Sequence, residues 1–241
     1  MTNRFFIFEL IYDVIILNLN PQKILVVQTA FIGDVIIITP LLKAIKELYP
    51  SALLDVMVIP QTAGVLANNP NINKIVLFDK RKNKLLAFIK TLIALKKNSY
   101  DVAITPHSSV TTVLLLKYAG IKIRIGFDRW SASKYLTHKV PHPDGIHKTL
   151  KNLGLLSLVT SKSFPNQTEL FPSSISFSKA EELLVELKSS NKRIIAIAPG
   201  SVWFTKKWPT EYYKLLSQLL VENNFGVVLI GSKDERDLCK Q

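Results

Sequence analysis

The strongest constraint in the sequence is an alternation. Short, β-branched apolar runs are separated by stretches with helical spacing. The runs are Lys23 to Gln28 (KILVVQ), Ala52 to Ile59, Ile75 to Phe78, Tyr100 to Thr105, Ile121 to Gly126, Arg193 to Ala198 and Gly226 to Ile230. Lys23 to Gln28 reads as a strand buried on both faces, as in a parallel sheet, and the other runs read as further strands. Between them, 34–49, 85–97, 110–118, 179–187 and 210–223 have helical character, and Ser178 is the expected cap of the fourth. Strand–helix alternation of this kind predicts an α/β fold with a doubly wound sheet.

The rhythm breaks near 160–178. SKSFPNQTELFPSS carries Pro165 and Pro172 among serines and asparagines, so it reads as a linker. The expected organisation is an apolar extension over 1–22, a Rossmann-like domain over 23–160, a linker over 161–178, and the first part of a second Rossmann-like domain over 179–241. The extension, MTNRFFIFELIYDVIILNLN, contains Glu9 and Asp13, each costly at a bilayer centre. No small-residue cleavage site follows it. It reads as a surface-lying amphipathic segment or an addition upstream of the fold, not as a cleaved signal.

Composition narrows the function classes. The 241 residues are 48% hydrophobic and 20% charged, which excludes intrinsic disorder. The single cysteine, Cys239, excludes an intramolecular disulfide and a cysteine-cluster metal site and points to a reducing compartment. Lys and Arg outnumber Asp and Glu by 31 to 18, a charge of +13 that favours anionic partners without choosing among them. The basic run KRKNK at the head of a lysine-rich stretch over 80–97 reads as a solvated face or as a contact with anionic lipid.

Two loops carry candidate chemistry. After the first strand comes QTAFIGDV. Ligands of open α/β sheets bind at the carboxyl ends of the strands. There Asp34 is either the cap of the following helix or a general base on the floor of a cleft. Neither GxGxxG nor GxxxxGK[ST] occurs, so dinucleotide and P-loop fingerprints are absent. In the second domain RIIAIA runs into Pro199, Gly200, Ser201 and VWFTKKWP. Backbone N–H groups, the Ser201 hydroxyl and an ammonium of Lys206 or Lys207 can converge on a diphosphate there. An ordinary loop with solvated lysines is the alternative. Past GVVLIG, Asp234 and Glu235 are placed either to accept from a ribose diol or to serve as acids of a first helical turn.

Other candidates are weak. His138, His142 and His147 lack the partners of a zinc site. His107, with Ser108 and Ser109, borders the end of the fourth strand without an acid beside it in sequence. No DxD pair occurs, so metal binding is not expected. Aromatics do not interleave with the basic run, which argues against a single-stranded nucleic-acid platform.

Taken together, KILVVQTAFIGDVIIITPLLKAIKELYP, GIKIRIGFDRW, IAIAPGSVWFTKKWPTEYYKLLSQLL and VVLIGSKDE resemble glycosyltransferase family 9. These are the ADP-heptose:lipopolysaccharide heptosyltransferases, and the resemblance is strongest to the heptosyltransferase II branch. It implies a two-domain GT-B enzyme that inverts the anomeric carbon and needs no metal or other cofactor. Its partners would be ADP-heptose, the lipid A–core acceptor and the cytoplasmic face of the inner membrane, with no nucleic acid. By this resemblance Asp34 is the general base, Ser201 and Lys206 hold the donor phosphates, Glu235 holds the ribose, and Arg129 and Lys134 meet acceptor phosphates. The family carries a later D-[ST]-G-x-x-H motif that this chain does not reach. The resemblance therefore implies a truncated enzyme whose turnover is in question. The alternatives are a non-catalytic remnant and a basic nucleotide- or nucleic-acid-binding α/β protein.

Overall fold

A computed structural model describes residues 16–79, 83–107, 109–129, 131–190, 192–201 and 204–240. The expectations for residues 1–15, Lys80 to Lys82, Ser108 and Trp130 lie outside this set. The chain divides into two compact units that meet in sequence at Pro172 and Ser173.

The first unit opens with β1 (Lys23–Gln28), α1 (Ile32–Ile36), α2 (Thr39–Leu48), β2 (Leu53–Val58), β3 (Lys74–Leu77) and α3 (Lys84–Asn98). It continues through β4 (Val102–Thr105), α4 (Val110–Tyr118), β5 (Ile123–Phe127), β6 (His138–Val140) and α5 (Lys148–Gly154). The strands form one six-stranded sheet in the order β3-β2-β1-β4-β5-β6, every neighbouring pair parallel. The order reverses direction between β1 and β4, which makes the carboxyl ends of those strands the topological switch point.

Alternation along β1 explains both layers. Ile24 and Val26 pack into one apolar cluster with Val35, Leu41, Leu42 and Ile45 of the first two helices. Leu25 and Val27 pack into the other, with Leu95 of α3 and Leu115 and Leu116 of α4. Successive side chains of a strand leave opposite faces of the sheet, so a strand covered twice must be apolar throughout. The amino ends of the strands are tied by polar contacts. Asp101 accepts from the backbone N–H groups of Gln22 and Lys23 at 2.8 and 2.9 Å. The buried Asp55 carboxylate accepts from the Tyr100 hydroxyl at 2.6 Å and the Asn73 amide at 2.8 Å. Burial, reinforced by Asp55, raises the Tyr100 phenol far above its usual value.

Several expectations need correction. The single helix expected over 34–49 is two, because Pro40 opens a new helix in the first turn of α2. β6 was not foreseen. The described part of the apolar extension is joined to the fold: the Leu17 N–H donates to the Leu158 carbonyl at 2.7 Å, and Leu19 packs on the core. Residues 160–171 lack helix or strand but are fastened to the first unit. Lys43 pairs with Glu169 at 2.5 Å, the Glu169 N–H donates to the Thr39 hydroxyl, and the Asn68 amide donates to the Phe171 carbonyl.

The second unit consists of α6 (Ser174–Ser189), β7 (Arg193–Ile197), α7 (Thr210–Glu222), β8 (Phe225–Leu229) and α8 (Arg236–Lys240). The helix expected from Lys179 begins at Ser174, inside the expected linker. Its cap is Ser173, which accepts from the Ser176 N–H at 3.1 Å, and not Ser178. β7 and β8 pair in parallel, with Ile197 opposite Leu229. Ile197 is buried, whereas α6 and α7 bury no residue fully.

Candidate functional site

Asp34 lies in the first unit, beyond the carboxyl end of β1, in the first turn of α1. It is not the cap of that helix. The cap position belongs to Phe31, whose side chain makes no capping bond. The Asp34 carboxylate, 19% exposed, pairs instead with the ammonium of Lys148 at the start of α5, 114 residues away in sequence. Gly33 before it has open space where a Cβ would stand. A side chain would therefore meet no protein atom there, and the glycine leaves the backbone bare toward solvent beside the carboxylate. At the end of β1 the side chain of Gln28 is buried, and its Oε1 has no hydrogen-bond partner among the described residues.

The other first-unit candidates sit on the loops following β5. Arg129 places Nη1 at 3.1 and 3.3 Å from the two ring nitrogens of His142. The His142 ring stands edge-on to Phe127 and lies 3.5 Å from Asp144. Lys134 is exposed, with its ammonium 5.0 Å from the centre of the Tyr135 ring. A hydrogen bond from Ser133, aided by Lys139, holds the Asp128 carboxyl below its ordinary range. His147 caps α5 by accepting from the Thr149 N–H. Ser109 caps α4 by accepting from the Thr112 N–H.

In the second unit the carboxyl ends of β7 and β8 bring Gly200 and Glu235 together. A Cβ added to Gly200 would stand 1.8 Å from Glu235 Oε1, so the carboxylate occupies the space a side chain would take. Glu235 Oε2 accepts from the Ser232 N–H at 2.7 Å, and the Ser232 side chain accepts from the Glu235 backbone, a reciprocal capping box. These Ser232 bonds hold the Glu235 carboxyl below its usual range, with the Lys207 ammonium adding to the effect. Glu235 is therefore a helix-start acid that still offers Oε1 beside the Gly200 backbone. Ser201 lies next in sequence to Gly200 and is partly buried, while Lys206 ends a short 3₁₀ turn and is exposed.

The structure thus places Asp34 with Lys148, and Gly200 with Glu235. Sequence reasoning missed Lys148 and Gln28, and left Lys206 and Lys207 undistinguished. The only signal for Lys148 was its place after the histidine of PHPDGIHK. Among the described residues no group of His, Cys, Asp and Glu side chains is disposed to hold a metal ion.

The class defined by this fold is a GT-B-like α/β protein, in which parallel sheets offer their carboxyl edges to ligands. The likeness to solved structures is extensive. A glycosyl transferase family 9 protein from Veillonella parvula superposes with a TM-score of 0.84 at 18% identity, covering 93% of this chain and 67% of that one. ADP-heptose lps heptosyltransferase II of E. coli gives 0.72 at 21% identity, covering 90% and 67%. The sequence pattern of glycosyltransferase family 9 (heptosyltransferase) matches residues 88–240, and the chain belongs to that family. Lipopolysaccharide heptosyltransferase 3 of Escherichia coli is 25% identical over 218 residues, covering 87% of this chain; the chain spans 64% of that relative's length.

Proposed function

We propose that the chain carries the acceptor side and part of the donor side of an enzyme that transfers heptose from ADP-heptose to the lipopolysaccharide inner core. The observation that carries this reading is the position of Asp34, a largely shielded carboxylate beside a bare glycine backbone at the switch point of the sheet. A base placed there can take a proton from an acceptor hydroxyl.

In the proposed reaction the acceptor oxygen attacks the anomeric carbon from the side opposite the diphosphate. The bond between that carbon and the diphosphate oxygen breaks, the configuration inverts, and the hydroxyl proton passes to Asp34. Ser201 and Lys206 stabilise the negative charge that collects on the departing ADP. Glu235 Oε1 accepts from the ribose diol, while Oε2 stays engaged with Ser232. Arg129 and Lys134 hold acceptor phosphates. No step needs a metal ion. The acceptor is carried by a lipid, so the protein would work at the cytoplasmic face of the inner membrane. Among the described residues no helix is long and apolar enough to cross a membrane, and the contact proposed is peripheral.

Calorimetric titration of the full chain with ADP, UDP and GDP tests the donor side. The expected result is selective ADP binding that Lys206→Ala abolishes. Equal binding of the three nucleotides, or ADP binding untouched by that substitution, overturns the assignment. Absence of binding to all three favours the non-catalytic alternative.

A further inference from the structure

α3 carries apolar side chains on two of its sides. Thr91 and Leu95 are buried against the sheet, and Ala87, Phe88 and Leu92 pack beside them. The opposite side is apolar too. Leu85, Leu86, Ile89 and Ile93 are 69%, 51%, 42% and 62% exposed. At 3.6 residues per turn these four fall within an arc of about 100°. Lys96 lies inside that arc and Lys90 and Lys97 on its border, all of them exposed. No Asp or Glu occurs anywhere from Lys80 to Ser99, a stretch holding seven Lys and Arg.

A soluble surface helix shows an apolar stripe toward the core and charge toward water. α3 shows two apolar stripes, and the outer one is edged by cations alone. We infer that the outer face of α3 is a docking surface for an anionic lipid bilayer, with the helix lying in the plane of the interface. Leu85, Leu86, Ile89 and Ile93 enter the boundary between headgroups and acyl chains, as the apolar face of an interfacial helix does. Lys90, Lys96 and Lys97 spread their stems along that boundary and meet lipid phosphates. Charge decides among occupants. A second copy of this face would set lysines against lysines. A nucleic acid would leave the leucines and isoleucines in water, and the stripe holds no aromatic ring on which a base could stack.

This inference deepens the peripheral-membrane part of the function proposed above and is independent of its donor chemistry. The test is flotation of the full chain with vesicles of phosphatidylglycerol and phosphatidylethanolamine, against vesicles of phosphatidylcholine, free of lipopolysaccharide and nucleotide. Partition into the anionic vesicles is expected to exceed that into the neutral ones at least tenfold and to fall steeply with salt. Two variants, I89S/I93S and K90Q/K96Q/K97Q, are each expected to lower it at least tenfold with circular dichroism and ADP affinity unchanged. All of these positions are exposed, so neither variant should disturb folding. Absent or equal partition overturns the inference, and so does partition indifferent to both variants. A lipid-free dimer dissociated by I89S/I93S would reassign the face to a second copy. Loss of ADP binding with vesicle binding intact would count against the transferase reading alone.

Discussion

The two units share one grammar of strand, helix and parallel strand, yet they differ in charge and burial. Through Pro172 the chain has 21 Lys and Arg against 10 Asp and Glu; beyond it the numbers are 10 and 8. The basic character of the protein is thus a property of its first unit. Burial follows the same division. β1 and β2 have neighbouring strands on both sides and helices over both faces, so five of the six residues in each are buried. β7 pairs with β8 alone, and only Ile197 of its five residues is buried. A βαβ unit supplies geometry; the third layer and the further strands supply the desolvation that makes its apolar residues stabilising.

That contrast can be broken at several points. The largest effect should come from Leu42→Ala, which removes a fully buried side chain from the first unit. Chemical denaturation is expected to show a loss of about 2–5 kcal/mol, as for other core truncations of this kind. Tyr100→Phe should cost about 1–3 kcal/mol, because the buried Asp55 loses a donor. The wild-type protein also has a predictable alkaline weakness. Above a pH near the ordinary tyrosine value of 10.0 the unfolded chain gives up its phenol proton while the folded chain keeps it. Folding therefore loses stability as pH rises, and a pH series of melting temperatures should show a shallower alkaline decline in Tyr100→Phe.

Smaller effects are expected in the second unit. Ser232→Ala removes a helix-start cap and should cost about 1 kcal/mol, read as faster amide exchange in α8. The Glu235 side of that cap has a depressed folded value, so its contribution is present near neutral pH and is lost as pH falls through that value. Leu219→Ala alters an exposed side chain of α7 and should stay within about 0.5 kcal/mol. A large loss from Leu219→Ala would mean that α7 is covered in solution, and the contrast between the units would have to be redrawn.

What the sequence made legible follows from what is local. β1 was legible as a strand because its apolar run, buried on both faces, is recognisable without its partners. β6 escaped because HKV offers one buried residue, Val140, and gains strand identity only by pairing with β5. Ser178 and Ser173 look alike as caps in the run SSISFS, and only tertiary context selects the earlier one. Asp34 and Glu235 could be singled out by their loops, but their neighbours could not. Lys148 meets Asp34 across more than a hundred residues. Lys207, not Lys206, acts on the Glu235 carboxyl, a distinction between adjacent lysines that composition does not carry.

The contact between Gly200 and Glu235 also sets a rule for how the two positions can vary. A side chain at 200 and a carboxylate at 235 compete for the same few ångströms, so neither position has a fixed tolerance of its own. Gly200→Ala should displace the flexible Glu235 carboxylate at the expense of its bond to Ser232, and should be close to neutral once Glu235 is shortened. The pair would then show measurable coupling in a double-mutant cycle. A lineage that replaced the acid first could lose the glycine freely, whereas one that kept the acid would have to turn its carboxylate away from Ser232.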